Sequence, residues 1–225
     1  MRERGGTQRI PRPSGVRPGA PPPWSGLDPA QRLFTLREVR TRLADLPAPR
    51  PAELIAADSR DAAVLVPMFE DRGEAHLVLT KRPETMPSHQ GEIAFPGGKR
   101  DRTDLDLRAT ALREAHEEIG LKPTIVDVVA ELDSRGTVAS RFTITPFVGL
   151  LAGPPVLDPD PREVVRAFAV PLSELLDPAA FREELWQLYG DWRSMYFFEL
   201  PGETVWGATA RILGAFLAFL TAERA

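Results

Sequence analysis

Cysteine is absent from this chain, which excludes a disulfide framework and any thiolate-held metal or redox centre. Lysine is nearly absent. Lys81, Lys99 and Lys122 are the only three, so arginine carries almost all the positive charge. That bias reads as the coding preference of a GC-rich genome rather than as function. Long hydrophobic runs are missing too. The longest, ILGAFLAFL at Ile212–Leu220, is too short to span a bilayer. No apolar stretch follows the first arginines, so no secretory signal is expected. Neither sign of charge dominates. A net charge of −4 predicts neither a nucleic-acid binder nor a membrane-surface protein. A cytoplasmic location is the expectation.

What is present is an ordinary globular composition, 43% apolar and 27% charged over 225 residues, enough for one domain with a good core plus extensions. Residues 1–26 are rich in Pro, Gly and Arg (RIPRPSGVRPGAPPPW) and read as a disordered tail that cannot build a core of its own. Residues 27–225 read as a single domain. A helix is expected from Asp28-Pro29, an N-cap followed by proline. Strands are expected at Ala62–Phe69 and Ala75–Arg82, joined by a hairpin turn at EDRGE. Further strands follow at TIVDVVAEL, FTITPFVGLLA, VVRAFAV and MYFFEL, with a short helix at Pro171–Leu176 and a last helix from Trp206 to about Glu223. Strands in the middle with helices between and after them predict an α/β (α+β) domain with a mixed β-sheet.

The segment Phe95–Leu121, FPGGKRDRTDLDLRATALREAHEEIGL, carries the chemistry. Asp106–Ile119 holds no Gly or Pro and predicts a helix stopped by Gly120. Leu105, Ala109, Leu112, Ala115 and Ile119 recur at helical spacing and predict its buried stripe. Glu114, Glu117 and Glu118 then crowd one turn near the C-terminus, where the helix dipole disfavours negative charge. An unfavourable cluster of this kind implies a compensating cation. Carboxylate oxygens suit Mg²⁺, Mn²⁺ or Ca²⁺, and the calcium-loop pattern is absent. Arg113 is placed to orient the carboxylates. Gly97 and Gly98, after a strand ending at Phe95, permit close backbone approach to a ligand.

Gly98, Arg113-Glu114-Ala115, Glu117-Glu118 and Gly120-Leu121 resemble the Nudix box. The second half, REAHEEIGL, matches closely. The first half departs: Asp104 stands where the box has glutamate, and eight residues rather than seven precede Arg113. The longer spacing resembles the coenzyme A pyrophosphatase branch of the family. Leu79-Thr80-Lys81-Arg82, Gly91 and Phe95-Pro96-Gly97-Gly98 fall in register with that branch's upstream signature, and Trp206-Gly207-Ala208-Thr209-Ala210 is similar to a later one. The signature's serine and second arginine are Pro83 and Pro87 here.

The resemblance implies a Nudix-type α/β/α sandwich and Mg²⁺ or Mn²⁺ held by Glu114, Glu117 and Glu118 as metal ligands and catalytic groups, with Arg113 orienting them. It implies substrate binding by Arg82, Gly97, Gly98 and His89. The implied reaction is hydrolysis of CoA or acyl-CoA to 3′,5′-ADP and (acyl-)4′-phosphopantetheine. ADP-ribose, a nucleotide sugar or a dinucleotide as substrate, and a non-catalytic Nudix-fold module, are the alternatives. Glu163 and Asp133 are candidates to take a proton from water, against a surface charge and a loop cap. His116 is expected to face solvent. Trp206 and Phe198 are expected in core packing, with a pocket lining as the alternative. A small-molecule nucleotide is the expected partner, without nucleic acid or membrane, and a homodimer is compatible with the family.

Overall fold

The computed structural model describes residues 3–52, 58–85, 90–137, 141–188 and 190–222. In chain order the elements are β1 (Val16–Pro18), α1 (Leu36–Leu43), β2 (Arg60–Asp71), β3 (Glu74–Lys81), β4 (Ile93–Ala94), β5 (Gly97–Lys99) and α2 (Leu107–Ile119). A 3-10 turn at Pro123–Ile125 precedes β6 (Asp127–Glu131), β7 (Arg135–Gly136), β8 (Phe142–Leu150), β9 (Arg166–Pro171), α3 (Leu172–Leu175), β10 (Phe181–Leu188), β11 (Asp191–Leu200), β12 (Glu203–Val205) and α4 (Gly207–Thr221).

A mixed sheet runs in the order β4-β3-β2-β8-β6, with β5 beside β2, β7 beside β8 and β9 beside β3. Only β2 and β8 are parallel among its pairs. The β2–β3 hairpin turns at Arg72 and Gly73, both at positive φ (52° and 80°), the backbone that suits the right-handed twist of the strands. Alternation along the strands sorts the core into two layers. Ala63, Leu65, Val78 and Phe147 pack against Ala111, Ala115 and Ile119 of α2. Val66, Met68, Leu77, Leu79 and Val148 face the other way, onto α1 and the Leu213 and Leu217 side of α4. The result is the α/β/α sandwich expected from the sequence, with a second antiparallel sheet, β1-β10-β11-β12, joined to the second layer through Phe198, Leu200 and Val205.

Three expectations are corrected. Residues 3–26 are not a disordered tail in this structure. β1 pairs with β10, Arg4 forms ion pairs with Glu174 and Asp177, and Trp24 is fully buried against Phe181 and Phe198. The segment has no core of its own, as its composition implies. It borrows one, by covering the edge of a sheet contributed from far along the chain. The first helix begins at Leu36, not at Asp28-Pro29. Thr35 caps it in a reciprocal capping box with Glu38, while Asp28 closes a turn with Gln31. The stripe on α2 is borne out in part: Ala115 and Ile119 are buried and Leu112 packs against the same cluster, but Leu105 lies outside the helix and is 91% exposed, and Thr110, Ala111 and Glu118 join the buried set.

Candidate metal and phosphate site

The loop-helix segment is held at both ends by its own sequence. Asp106 is the N-cap of α2 and accepts from the Ala109 amide at 2.7 Å. Gly120 closes the helix in the left-handed region at φ 70°, a conformation glycine adopts without Cβ strain. Upstream, β5 lies antiparallel on the first half of β2, Gly97 against Val64 and Gly98 against Ala63. At Gly97 this placement needs glycine, whereas at Gly98 a side chain would meet only the end of Glu114. A Cβ on Gly97, at φ 155°, would sit 2.4 Å from the Ala63 carbonyl oxygen and 2.6 Å from Val64 Cα. A Cβ on Gly98 would sit 2.5 Å from the Glu114 carboxylate.

Arg113 organises the loop. Its Nε and Nη2 donate to the two carboxylate oxygens of Asp104, each at 2.9 Å, and Nη2 also donates to the Lys99 carbonyl at 3.1 Å. Nη1 donates to Glu114 and Glu117, both at 2.8 Å. All five guanidinium N–H donors are thus engaged. Asp104 also accepts from the Asp101 amide and the buried Thr110 hydroxyl. The Arg113 guanidinium holds the Asp104 carboxyl well below the usual carboxylate range, and these pairings hold Arg113 firmly protonated. From sequence, Asp104 is only a departure from the motif. In the structure it is the anchor of the motif's arginine. The signal was an acid in the loop before a helix that carries a lone central arginine on the neighbouring turn.

The three glutamates are not equivalent. The Glu117 side chain is 56% exposed, Glu114 15% and Glu118 3%. Glu118 accepts from the Gly97 amide at 3.0 Å, and the nearest cation is Arg82, whose Nη1 stands 3.6 Å away. Burial pushes Glu118 up to about 8. The Gly97 amide and Arg82 oppose that rise, and the charges of Glu114 and Glu163 add to it. Burial also raises Glu114, against the pull of Arg113. A buried carboxylate that its surroundings leave under-neutralised is the electrostatic deficit a divalent cation removes. The all-oxygen donor set suits Mg²⁺ or Mn²⁺. Among the described residues no three acidic or imidazole side chains already converge into a finished cage. Glu114 and Glu117 are drawn to Arg113 while Glu118 turns toward Gly97. The set fits the cation in charge and donor chemistry, with Glu114 and Glu118 nearest to hand.

The structure thus brings Arg82, Gly97, Gly98, Arg113, Glu114, Glu117 and Glu118 together. His89 lies outside the described residues. Arg82 stands beside Glu118 with its buried Nε unpartnered. Glu163 is an exposed residue of the 158–165 loop, which is tied to the site twice: Asp160 N–H donates to the Glu118 carbonyl and Val165 N–H to that of Lys81. Asp133 is a loop cap, accepting three hydrogen bonds from Arg50. His116 is exposed, and Phe198 is core. Two cavities of about 440 and 370 Å³ are lined by none of Glu114, Glu117 and Glu118.

The Gly98 contact yields a prediction. Gly98→Ala displaces only the flexible end of Glu114, so stability should change by less than about 1 kcal/mol while turnover falls about 100-fold. Gly97→Ala meets backbone instead and should unfold more readily. Denaturant midpoints and initial rates of the two purified variants check both, and unchanged turnover in Gly98→Ala would remove Glu114 from the site.

Comparison with known proteins agrees with this fold. The family model described as NUDIX domain matches residues 59–191. A protein named "Uncharacterized Nudix hydrolase NudL" from Photorhabdus laumondii is 36% identical over 168 residues, 75% of this chain and 89% of that protein. "Nudix hydrolase 22, chloroplastic" from Arabidopsis thaliana is 34% identical over 201 residues, 86% of this chain and 66% of that one. Among solved structures, a MutT/nudix family protein from Enterococcus faecalis superposes with a TM-score of 0.50 at 15% identity, covering 84% of this chain and 70% of that one, which shows the fold alone. No helix among the described residues is long and apolar enough to cross a membrane. The chain belongs to the Nudix family and is a Nudix hydrolase, a pyrophosphate hydrolase acting on nucleoside diphosphate derivatives.

Proposed function

We propose that the chain hydrolyses the pyrophosphate of CoA or acyl-CoA, giving 3′,5′-ADP and (acyl-)4′-phosphopantetheine. The observation that carries the metal-dependent part is the buried, under-neutralised Glu118 beside Glu114. What supports CoA is the sequence frame: Asp104, separated from Arg113 by eight residues, and the LTKR and GEIAFPGG segments upstream. Asp104 grips Arg113 through two hydrogen bonds, so the longer spacing is a working arrangement of the loop.

In this reading Glu114 and Glu118 would hold Mg²⁺ or Mn²⁺, with Glu117, now paired with Arg113, as the third carboxylate that would hold it. The bound cation supplies charge neutralisation of the diphosphate and a lowered pKa for its water. Arg113 keeps the carboxylates aimed, and Asp104 keeps Arg113 aimed. The lack of side chains at Gly97 and Gly98 of β5 lets phosphate approach the backbone, and Arg82, whose buried Nε has no partner among the described residues, faces the same space. Glu163 takes the proton of the attacking water. It is tied into the site by its loop and makes no ion pair among the described residues. Water oxygen bonds to one phosphorus, the bridging P–O bond breaks toward the other phosphate, and the proton passes from Glu163 to solvent.

A panel of CoA, acyl-CoA, ADP-ribose and NADH, each with Mg²⁺ and with Mn²⁺, tests the substrate. CoA or acyl-CoA is expected to show the highest kcat/KM, and CoA as the poorest substrate would sink the reading. EDTA should remove nearly all activity and added Mn²⁺ should restore it. Activity that survives chelation would contradict the metal assignment.

A further inference from the structure

Glu203, on β12, is a buried acid that stands outside the metal set. Its carboxylate accepts four hydrogen bonds. Lys81 Nζ donates to both oxygens at 3.0 Å, Arg166 Nη2 to Oε1 at 2.8 Å and Gln8 Nε2 to Oε2 at 2.6 Å. Three parts of the chain far apart in sequence thus converge on one carboxylate. Lys81 and Arg166 stand directly opposite each other across the antiparallel β3–β9 pair. Two cations in that position repel and would splay the strand ends. Glu203 draws both inward, and because the acid itself is buried, little water competes for it. The three side chains form a staple across the end of β3.

The staple lies where the site begins. Val165 N–H donates to the Lys81 carbonyl at 2.8 Å, and the Arg82 N–H to the Glu92 carbonyl at 3.0 Å. Arg82 follows Lys81 directly and, by strand alternation, turns to the opposite face of the sheet, where its Nη1 stands 3.6 Å from Glu118. The Arg82 side chain therefore starts from backbone that the staple holds. The N-terminal segment completes the arrangement. Gln8 donates to Glu203 and accepts from the Thr204 N–H at 3.1 Å, and Gly6 N–H donates to Thr204 Oγ1 at 2.9 Å. A Cβ on Gly6 would stand 2.8 Å from Glu203 Cα, so this stretch lies directly against β12.

We infer that Glu203 is a positioning residue for the hydrolysis: through Lys81 and Arg166 it fixes the end of β3, and so sets where Arg82 stands relative to Glu118, with Gln8 holding Glu203 in turn. The inference rests on the phosphate-facing role given above to Arg82, and not on CoA being the substrate. Steady-state rates are measured with CoA, or with ADP-ribose where CoA is not turned over, on the full chain and on Glu203→Gln, Gln8→Ala, Arg82→Met and the double variants that join Arg82→Met to each of the first two. Denaturation midpoints place every assay inside the folded range. Glu203→Gln is expected to lower kcat/KM about tenfold, and Gln8→Ala, which leaves all three charges in place, about threefold. In the Arg82→Met background either change should cost less than about twofold more, because the group being aimed is already gone. If Glu203→Gln does not fold, the Gln8→Ala cycle decides alone. Wild-type kcat/KM in the folded variants overturns the inference. So does a loss of equal size with and without Arg82, which is a general loosening of the fold; with Arg82→Met itself impaired, the role of Arg82 then stands and the inference alone falls. An Arg82→Met enzyme as active as wild type removes the role of Arg82, and the inference with it.

Discussion

Glu118→Gln is expected to lower turnover by about 10³-fold or more and, in metal-free protein, to make the fold more stable at alkaline pH. Both effects have one cause. Glu118 is 3% exposed and its carboxyl is pushed up to about 8 from the usual 4.5, by burial first. The folded chain therefore holds a proton that the unfolded chain has released, and between those values folding takes up a proton. The contribution of Glu118 is fully present below pH 4.5 and is lost as pH rises toward 8. A shift of that size corresponds to at most about 5 kcal/mol. Glutamine keeps an acceptor for the Gly97 amide and has nothing to ionise. With EDTA present, the variant's denaturation midpoint should gain on wild type steadily from pH 5 to pH 8.5. Added Mn²⁺ should stabilise wild type and not the variant. A gap independent of pH would mean that Glu118 is not the strained group, and undiminished hydrolysis would refute the ligand assignment itself.

Asp104→Ala should be the most damaging change outside the glutamates. The carboxylate is nearly buried and accepts four hydrogen bonds, two from Arg113, one from the Asp101 amide and one from Thr110. Removing it strands a guanidinium edge and an amide at once and leaves the buried Thr110 hydroxyl only the Asp106 carbonyl, at a cost of about 3–5 kcal/mol. Arg113 retains Glu114, Glu117 and the Lys99 carbonyl and is free to swing with them. Turnover should fall about 100-fold beyond any loss of folded protein. Asp104→Asn keeps the shape and one good acceptor and should lie between. Urea midpoints give the stability loss. Rates measured well below the midpoint give the positioning loss, and an Asp104→Ala enzyme that is less stable but equally fast would reduce Asp104 to a structural anchor. A double-mutant cycle with Arg113→Lys isolates the pair, because three donors on an ammonium cannot replace a planar fork of five.

The sequence by itself determined the helix that carries the acids, its glycine stop, the β2–β3 hairpin and the two-layer alternation of β2, β3 and β8, because each is written in local spacing and turn chemistry. It also supplied the identity of the acidic residues. It did not reveal β10, or the Pro-rich segment laid along it, because that segment's apolar partners lie far along the chain and no local period encodes them. It gave the buried face of α2 only in part, finding Ala115 and Ile119 but not Thr110, Ala111 and Glu118, for a related reason. Hydrophobic periodicity counts apolar residues, and the line that is buried here includes Thr110 and Glu118. Only the tertiary structure decided that the three glutamates differ. The sheet and the Gly97 end of β5 close over Glu118, Arg113 takes up Glu114 and Glu117, and Asp104 takes up Arg113. Burial and pairing, not sequence spacing, set the free energy of a charge, so the residue left short of a cation could be identified only once the chain had folded around it.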